Sequence, residues 1–431
     1  MRRCLEPGPA FRRPSHMSPV LNAALVAGLS ALTFAGCGTV PADPGPDATR
    51  GSAGVSPQAA SGEFAAGTWT RLPDSPLSPR EAPATAYVPT DDGDLAVFVG
   101  GYTGPPCPPN ADCVIPEDTT ASDGSAYNLD SGLWQPIADA PRPVAAHSST
   151  AVIDDTLYVL TNNHVLAWDA TQDTWTELDP PMDPQWANLV ADTHAGQPRL
   201  VLAAGSDENG IHPDQVYDPA DGTWSQLPAN PLRPSFDRVV ISTPSGLVLT
   251  AKPIGPDGGP EDPALVHAAV LPAGASKWRL VPPNGDQLGG WYWTWTGQRL
   301  VDPTPGGADG GQVNGFGRTI PYGGALDPST GDWAPLTDTP QELTGGWPVE
   351  ALGGRYNAVQ GWVYDDGDGG QGHSWTRLSQ PDGAPAEPGP GVWVGDVLIV
   401  SGGAAWDGPD EPAEWTPQDV WSTGTWAYRT D

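Results

Sequence analysis

From residue 68 onward the chain alternates short apolar runs with polar, turn-rich stretches. Residues 95–99, 157–160, 200–204, 247–250 and 397–400 are almost wholly apolar. Runs of this length, rich in Val, Leu and Ile, predict strands buried on both faces. No segment beyond residue 67 carries a helical apolar period with caps. A second pattern lies between the runs: an aromatic or apolar residue, Asp or Asn, a short turn, then Trp. It stands as Tyr127-Asn128-Leu129-Asp130-Ser131-Gly132-Leu133-Trp134, as Trp168-Asp169-Ala170-Thr171-Gln172-Asp173-Thr174-Trp175 and as Tyr217-Asp218-Pro219-Ala220-Asp221-Gly222-Thr223-Trp224. Weaker copies lead to Trp278, Trp333 and Trp375; a bare Trp69 opens the series and Trp426 ends it. In such a phrase Asp bonds nearby backbone and Gly takes positive φ, which is hairpin chemistry. The Trp then heads the next strand with a large flat ring to bury.

The Trp anchors stand 41 to 65 residues apart. That period suits one four-stranded antiparallel sheet per unit, repeated around an axis. The expected fold is therefore all-β: a β-propeller of seven blades, or of six if residues 337–378 supply only half a blade. Ring closure is also legible. The last unit has an apolar strand at 397–400 and an alternating stretch from Asp419 to Tyr428, then the chain stops. Its outermost strand is missing, while Thr68-Trp69-Thr70-Arg71-Leu72 is an orphan at the other end. Pairing the N- and C-terminal strands in one blade closes the ring and removes an open edge.

A strand ending in Gly-Gly, a variable loop, Tyr-Asp, a turn and Trp resembles the kelch repeat. Gly100-Gly101 and Gly402-Gly403 keep the doublet, which the middle units lack, and Pro141-Arg142-Pro143-Val144-Ala145-Ala146-His147-Ser148-Ser149 matches how such a repeat begins. The resemblance covers residues 68–431. It implies a kelch-type β-propeller and says little of function.

The N-terminus reads as an address. Arg2, Arg3, Arg12 and Arg13 precede an uncharged apolar run from 20 to 34, too short to span a bilayer and suited to a secretory signal. Phe34-Ala35-Gly36-Cys37 resembles the lipobox of bacterial lipoproteins. That likeness implies removal of residues 1–36, lipidation of Cys37 and a place on the extracytoplasmic face of the cell membrane. Residues 37–67, rich in Ala, Pro, Gly and Ser, read as a disordered tether. Cys107 and Cys113 bracket a short turn-rich loop and predict a local disulfide in an oxidising compartment.

Composition narrows the partners. With 19 Lys+Arg against 52 Asp+Glu the net charge is −33, which excludes nucleic acid and electrostatic docking on anionic lipid. Membrane contact is expected through the lipid anchor alone, and the chain is expected to be a monomer. The 54 Gly and 52 Pro fit a turn-rich chain, and 19 Trp argue that it folds.

Kelch propellers of the galactose oxidase type need two Tyr, two His and a Tyr–Cys crosslink around copper. The cysteines here have other roles and the histidines are scattered, so no metal or other cofactor is expected. Asp91-Asp92-Gly93-Asp94 and Asp365-Asp366-Gly367-Asp368 read as hairpin tips rather than calcium loops; counted as an EF-hand from Asp366, the twelfth position is Arg377 instead of Glu. Sialic-acid mutarotases, also exported kelch propellers, open a sugar ring by acid–base work on an anionic substrate. That alternative asks for arginines at a central funnel: Arg80, Arg142, Arg233, Arg299 and Arg318 are candidates, although Arg80, Arg142 and Arg233 stand at repeat starts where a structural Arg is common. The strongest binding signal is the surplus of aromatics outside the anchors: Trp186, Trp291, Trp293, Trp295, Trp347, Trp406 and Trp415. Trp406 and Trp415 flank an acidic, Pro-rich loop and suit a sugar platform or a protein hot spot. The expected function is a non-catalytic binding module for a carbohydrate or a cell-envelope protein, with Trp406, Trp415, Arg142, Arg233 and Arg318 as ligand-binding candidates; the catalytic residues of the enzyme alternative are not assignable.

Overall fold

The turn of each Asp–Trp phrase joins the two outer strands of a sheet. Asn128 accepts a hydrogen bond from the Ser131 amide at 2.8 Å while Gly132 takes φ +70°. Asp218 likewise accepts from the Ala220 amide at 2.9 Å, with Gly222 at φ +70°. The ring before the turn then lies opposite the Trp after it: Tyr127 faces Trp134, Trp168 faces Trp175, Tyr217 faces Trp224 and Tyr364 faces Trp375. Such cross-strand aromatic pairs stabilise the hairpin. The indole N–H groups reach further, to the chain leaving the preceding sheet. Trp134 donates to the Pro73 carbonyl at 2.9 Å, Trp175 to Ala138 at 2.7 Å, Trp278 to Pro228 at 2.8 Å and Trp333 to Pro282 at 3.0 Å. Each of these Trp residues both fills a wedge and latches two neighbouring sheets.

The computed structural model describes residues 64–107, 119–181, 187–255, 262–308, 318–340, 343–368, 372–406 and 415–430. The leader, Cys37, most of the tether, Cys113 and Trp186 lie outside the described residues; Cys107 is disulfide-bonded. Among the described residues the strands form seven antiparallel blades. Blade 1 runs Ala84–Thr90, Gly93–Val99, Gly124–Asn128, Leu133–Ile137, from the inner strand outward. Blade 2 follows with Ser149–Ile153 to Thr174–Leu178, blade 3 with Ala187–His194 to Thr223–Gln226, and blade 4 with Ser235–Thr243 to Arg279–Leu280. Blade 5 uses Thr294–Trp295, Leu300–Val301, Ala325–Asp327 and Asp332–Ala334. Residues 337–378 do make a blade, the sixth, whose innermost strand is reduced to the Ala351–Ala358 bridge beside Tyr356–Val359, Trp362–Asp365 and Ser374–Arg377. Blade 7 joins Gly391–Val394, Val397–Ser401 and Thr425–Arg429 to Trp69–Leu72 from the other end of the chain. The expected closure is present, and the fold is a seven-bladed β-propeller.

Two details differ from the sequence reading. Asp419 to Tyr428 is not one strand: Pro417–Val420 is a helical turn, and the strand begins at Thr425. Trp426 is not the outer anchor of blade 7 either. It lies on the third strand, and Trp69, opposite Tyr428, takes the outer position. The expectation failed because the last unit borrows its anchor from the start of the chain.

The apolar runs are the second strands, and they are continuous because they serve two interfaces. Leu95, Val97 and Val99 pack toward blade 2 with Leu157, Leu166 and Trp168, whereas Ala96 and Phe98 pack toward blade 7 with Ile399 and Ala427. Leu200 and Leu202 face blade 2, Val201 and Ala203 face blade 4. The core therefore sits between blades, one apolar layer at each interface.

Candidate functional site

In an antiparallel blade the connection from the second to the third strand emerges at the same end as the connection to the next blade. The long connections, at 100–123, 205–214, 254–266, 302–324 and 402–424, are all of this kind. The opposite end carries hairpins. Asp91-Asp92-Gly93-Asp94 is one of their tips, and Asp366 is paired there with Arg299 at 2.7 Å. The loop-bearing end is the candidate site.

Each inner strand starts at this end, so the residue entering it borders the axial mouth. Near those starts lie Glu81, three residues before the blade 1 strand, His147, two before that of blade 2, Asp237, the third residue of that of blade 4, Tyr292, two before that of blade 5, Glu350, beside the Ala351 bridge of blade 6, and Glu387, four before the blade 7 strand. The Gly-Gly doublets set two of them. Gly101 (φ +94°) and Gly403 (φ +112°) bring the chain so close to the Glu81 and Glu387 carbonyls that a Cβ would stand 2.7 and 2.3 Å from them. Glu81 and Tyr292 are open to solvent and yet desolvated, as expected of side chains within a concavity. Desolvation, then the Glu387 charge, raises the Glu81 carboxyl pKa. The Tyr292 phenol is pushed up by desolvation and then by Glu350, Asp237 and Asp302, so inner residues of three blades share one electrostatic environment.

Asp237 sits on a bulge between Phe236 and Val239, at φ +46°. Its carboxylate accepts from Lys252 Nζ at 2.9 Å. Lys252 is buried, with its ammonium 5.3 Å from the centre of the Trp291 ring and 5.8 Å from that of Phe236. One residue on, Arg238 is also buried. It donates to the Ala204 carbonyl at 2.9 Å, to both Asp214 oxygens at 3.1 Å, and to Asp207 at 3.4 Å, tying blade 4 to blade 3.

All five sequence-predicted ligand-binding residues lie at this end, on four connections, Trp406 and Trp415 sharing one. Trp406 and Trp415 come together in blade 7, ring centroids 5.5 Å apart and planes 39° apart. Trp406 Nε1 donates to Glu387 at 2.6 Å, and both rings lean on Tyr102, Val420 and Trp421. They are half-buried plates with a carboxylate at their edge. Arg142 Nε donates to both Glu177 oxygens, at 2.8 and 2.9 Å, and His164 shares that carboxylate, so Arg142 and then His164 hold it below the usual range. Arg318 is buried and donates to the carbonyls of Asp262 and Pro263 at 2.8 and 2.9 Å. Arg233 is exposed on the connection into blade 4. Arg80, a further candidate, is held by Asp123 at 2.7 Å. Of the five, Trp406 and Trp415 are brought into mutual contact.

Sequence reasoning missed Arg238, Asp237, Lys252 and Tyr292. The available signal was Lys252, one of two lysines, closing an otherwise apolar run. Among the described residues no group of three or more His, Cys, Asp or Glu is arranged to hold a metal ion.

No protein-family model matches the chain, and no curated protein matches it in sequence. Among solved structures it is similar to the structure of YjhT, at 13% identity over 82% of this chain and 95% of that one, with a TM-score of 0.39. The seven-bladed arrangement stands on the strand ladders themselves.

Proposed function

We propose that this chain is a lipid-anchored, extracytoplasmic propeller of the kelch kind that binds a carbohydrate at its loop-bearing mouth without transforming it. The observation that carries the reading is the Trp406–Trp415 pair with Glu387 bonded to its edge. Two tilted aromatic plates beside a carboxylate offer what a sugar ring needs: a flat apolar face to stack on and an acceptor for its hydroxyls. Tyr292, Glu350 and Glu81 add polar groups within the mouth. The sialate-type enzyme reading calls for cations facing an anion, whereas Arg80, Arg142, Arg238 and Arg318 are engaged by carboxylates or backbone carbonyls. The mouth is acidic, which favours a neutral or basic sugar.

A glycan array probed with the chain tests this, followed by calorimetry on each hit. Trp406→Ala is expected to weaken binding about tenfold or more, ~1.4 kcal/mol. Glu387→Gln should weaken it less, because the amide keeps an acceptor. Affinity unchanged in Trp406→Ala would remove the basis of the reading. An array without hits, together with capture of an envelope protein that Trp406→Ala abolishes, would make the same plates a protein hot spot. Accelerated anomer exchange of a bound sugar would turn the module into an enzyme.

A further inference from the structure

The connections around blade 5 form a second concave surface, two blades round the ring from the Trp pair. A cleft of about 500 Å³ lies among the entry to blade 5, the loop between its second and third strands and the exit to blade 6. Pro303, Pro321, Pro335 and Pro340 line it, and Tyr322 borders it with 45% of its surface exposed. Asp286, Gln287 and Thr339 give it a polar edge, and none of its lining residues is Lys, Arg or His.

The walls are fixed before any ligand arrives. Asn284 closes the turn carrying Asp286 and Gln287, donating to the Leu288 carbonyl at 2.8 Å and accepting from the Leu288 amide at 3.2 Å. Gln287 is held at φ +54°, an uncommon conformation for a long side chain that the closed turn maintains. The Tyr322 carbonyl accepts from Gly289 at 2.8 Å and that of Pro321 from Gly290 at 2.9 Å, which seats the Tyr322 segment on the entry to blade 5. Beneath, the fully buried Asp302 accepts from the amides of Tyr292 at 2.6 Å and Thr304 at 2.8 Å. Proline walls and bonded turns lower the ordering entropy lost on binding.

We infer that this cleft is a second saccharide subsite, for an uncharged sugar unit, with Tyr322 as the stacking plate and Asp286, Gln287 and Thr339 as hydroxyl partners. An anion would meet Asp286 with no cation to offset it. Thr339 already donates to the Leu336 carbonyl at 3.0 Å, but a purely apolar ligand would strip water from Asp286 and Gln287 and leave them unpaired. A neutral sugar satisfies both the ring and the polar edge, and the volume is that of an ordinary small-ligand site. The inference rests on the carbohydrate reading, but on residues the Trp pair does not touch.

Saturation-transfer NMR on the whole chain separates the two. The probes are the methyl glycosides of glucose, galactose, mannose and N-acetylglucosamine, with N-acetylneuraminate as the anionic comparison. Trp406→Ala is expected to keep transfer to at least one neutral glycoside, and Trp406→Ala/Tyr322→Ala to lose it at least tenfold. Gln287→Ala in the Trp406→Ala background should reduce it several-fold. Tyr322 and Gln287 are surface residues, so unchanged thermal midpoints show that the fold is intact. Transfer abolished by Trp406→Ala alone, or unaffected by adding Tyr322→Ala, overturns the subsite and leaves the mouth reading in place. Preference for N-acetylneuraminate overturns the charge argument. No transfer to any probe in the unaltered chain overturns both readings.

Discussion

Removing the N-terminal strand is expected to open the ring and make the protein self-associate. Trp69–Leu72 pairs residue for residue with the last strand, from Trp69 opposite Tyr428 to Leu72 opposite Thr425. The Trp69 ring packs 5.1 Å from Trp347 and 5.2 Å from Tyr428, Leu72 is buried, and Arg71 donates to the Thr425 carbonyl at 2.8 Å. Trp69→Ala alone should cost about 3 kcal/mol, the low end of the range for truncating a core aromatic, because the ring is only partly buried against its cluster. A lower urea midpoint with an unchanged slope would report it. Deleting residues 64–72 does more, because Thr425–Arg429 then presents unpaired backbone donors and acceptors to any other strand. Sedimentation of the deletion variant should show association that grows with concentration, and a peptide spanning residues 64–74 should reverse it by adding the strand back. A deletion variant that stays monomeric with the original midpoint would mean that the termini do not close the ring.

That closure was legible in the sequence because its signals are local. A strand without its outermost partner at one end, and an orphan Trp-bearing strand at the other, require only knowledge of each end. The hairpin phrase is local too: Asp218, Gly222 and Trp224 lie within seven residues, and each meets a demand of the turn or the strand after it. The mouth is the opposite case. Glu81, Asp237, Tyr292, Glu350 and Glu387 follow no common motif or spacing, and only the rotation of the blades about one axis brings them together. Arg238 shows how a local rule misleads. Arg233 stands at the repeat start, as Arg80 and Arg142 do, the place where a structural Arg is expected. The bulge between Phe236 and Val239 shifts the register of the inner strand, and the arginine that turns inward is the next one along. A bulge depends on partner strands and leaves no mark on the sequence before them. Trp406 and Trp415 stand out in the sequence as aromatics outside the repeat, but their hydrogen-bond partner Glu387 does not, since it belongs to the start of a different strand.

Arg238→Ala is expected to be the most damaging single substitution at the loop-bearing end. The guanidinium lies between Asp207 and Asp214, all three side chains being almost fully buried. Removing the cation leaves two buried carboxylates facing each other, a change that typically costs about 3–5 kcal/mol. The pH dependence identifies the cause. Burial already raises the Asp214 carboxyl, Arg238 opposes that, and Asp207 adds to it. Without Arg238 the opposing influence is gone, so the folded variant retains protons that the unfolded chain has released. Its stability is then present at acid pH and lost as pH rises through the raised carboxyl range, the sign required when the folded state binds more protons. Urea midpoints should therefore show a smaller deficit for Arg238→Ala at pH 4.5 than at pH 7.5, and adding Asp214→Asn should recover part of the deficit at pH 7.5. Arg238→Lys should fall between, because one ammonium keeps the charge but lacks the planar fork that reaches the Ala204 carbonyl and both carboxylates together. Equal deficits at the two pH values would show that lost packing, not the buried charge, is responsible. Asp237 is the neighbour of Arg238 on the bulge and borders the mouth, so a charge-driven collapse here should weaken ligand binding along with the fold, whereas Trp69→Ala, acting on the outer wall of blade 7, should lower stability and leave affinity close to its original value.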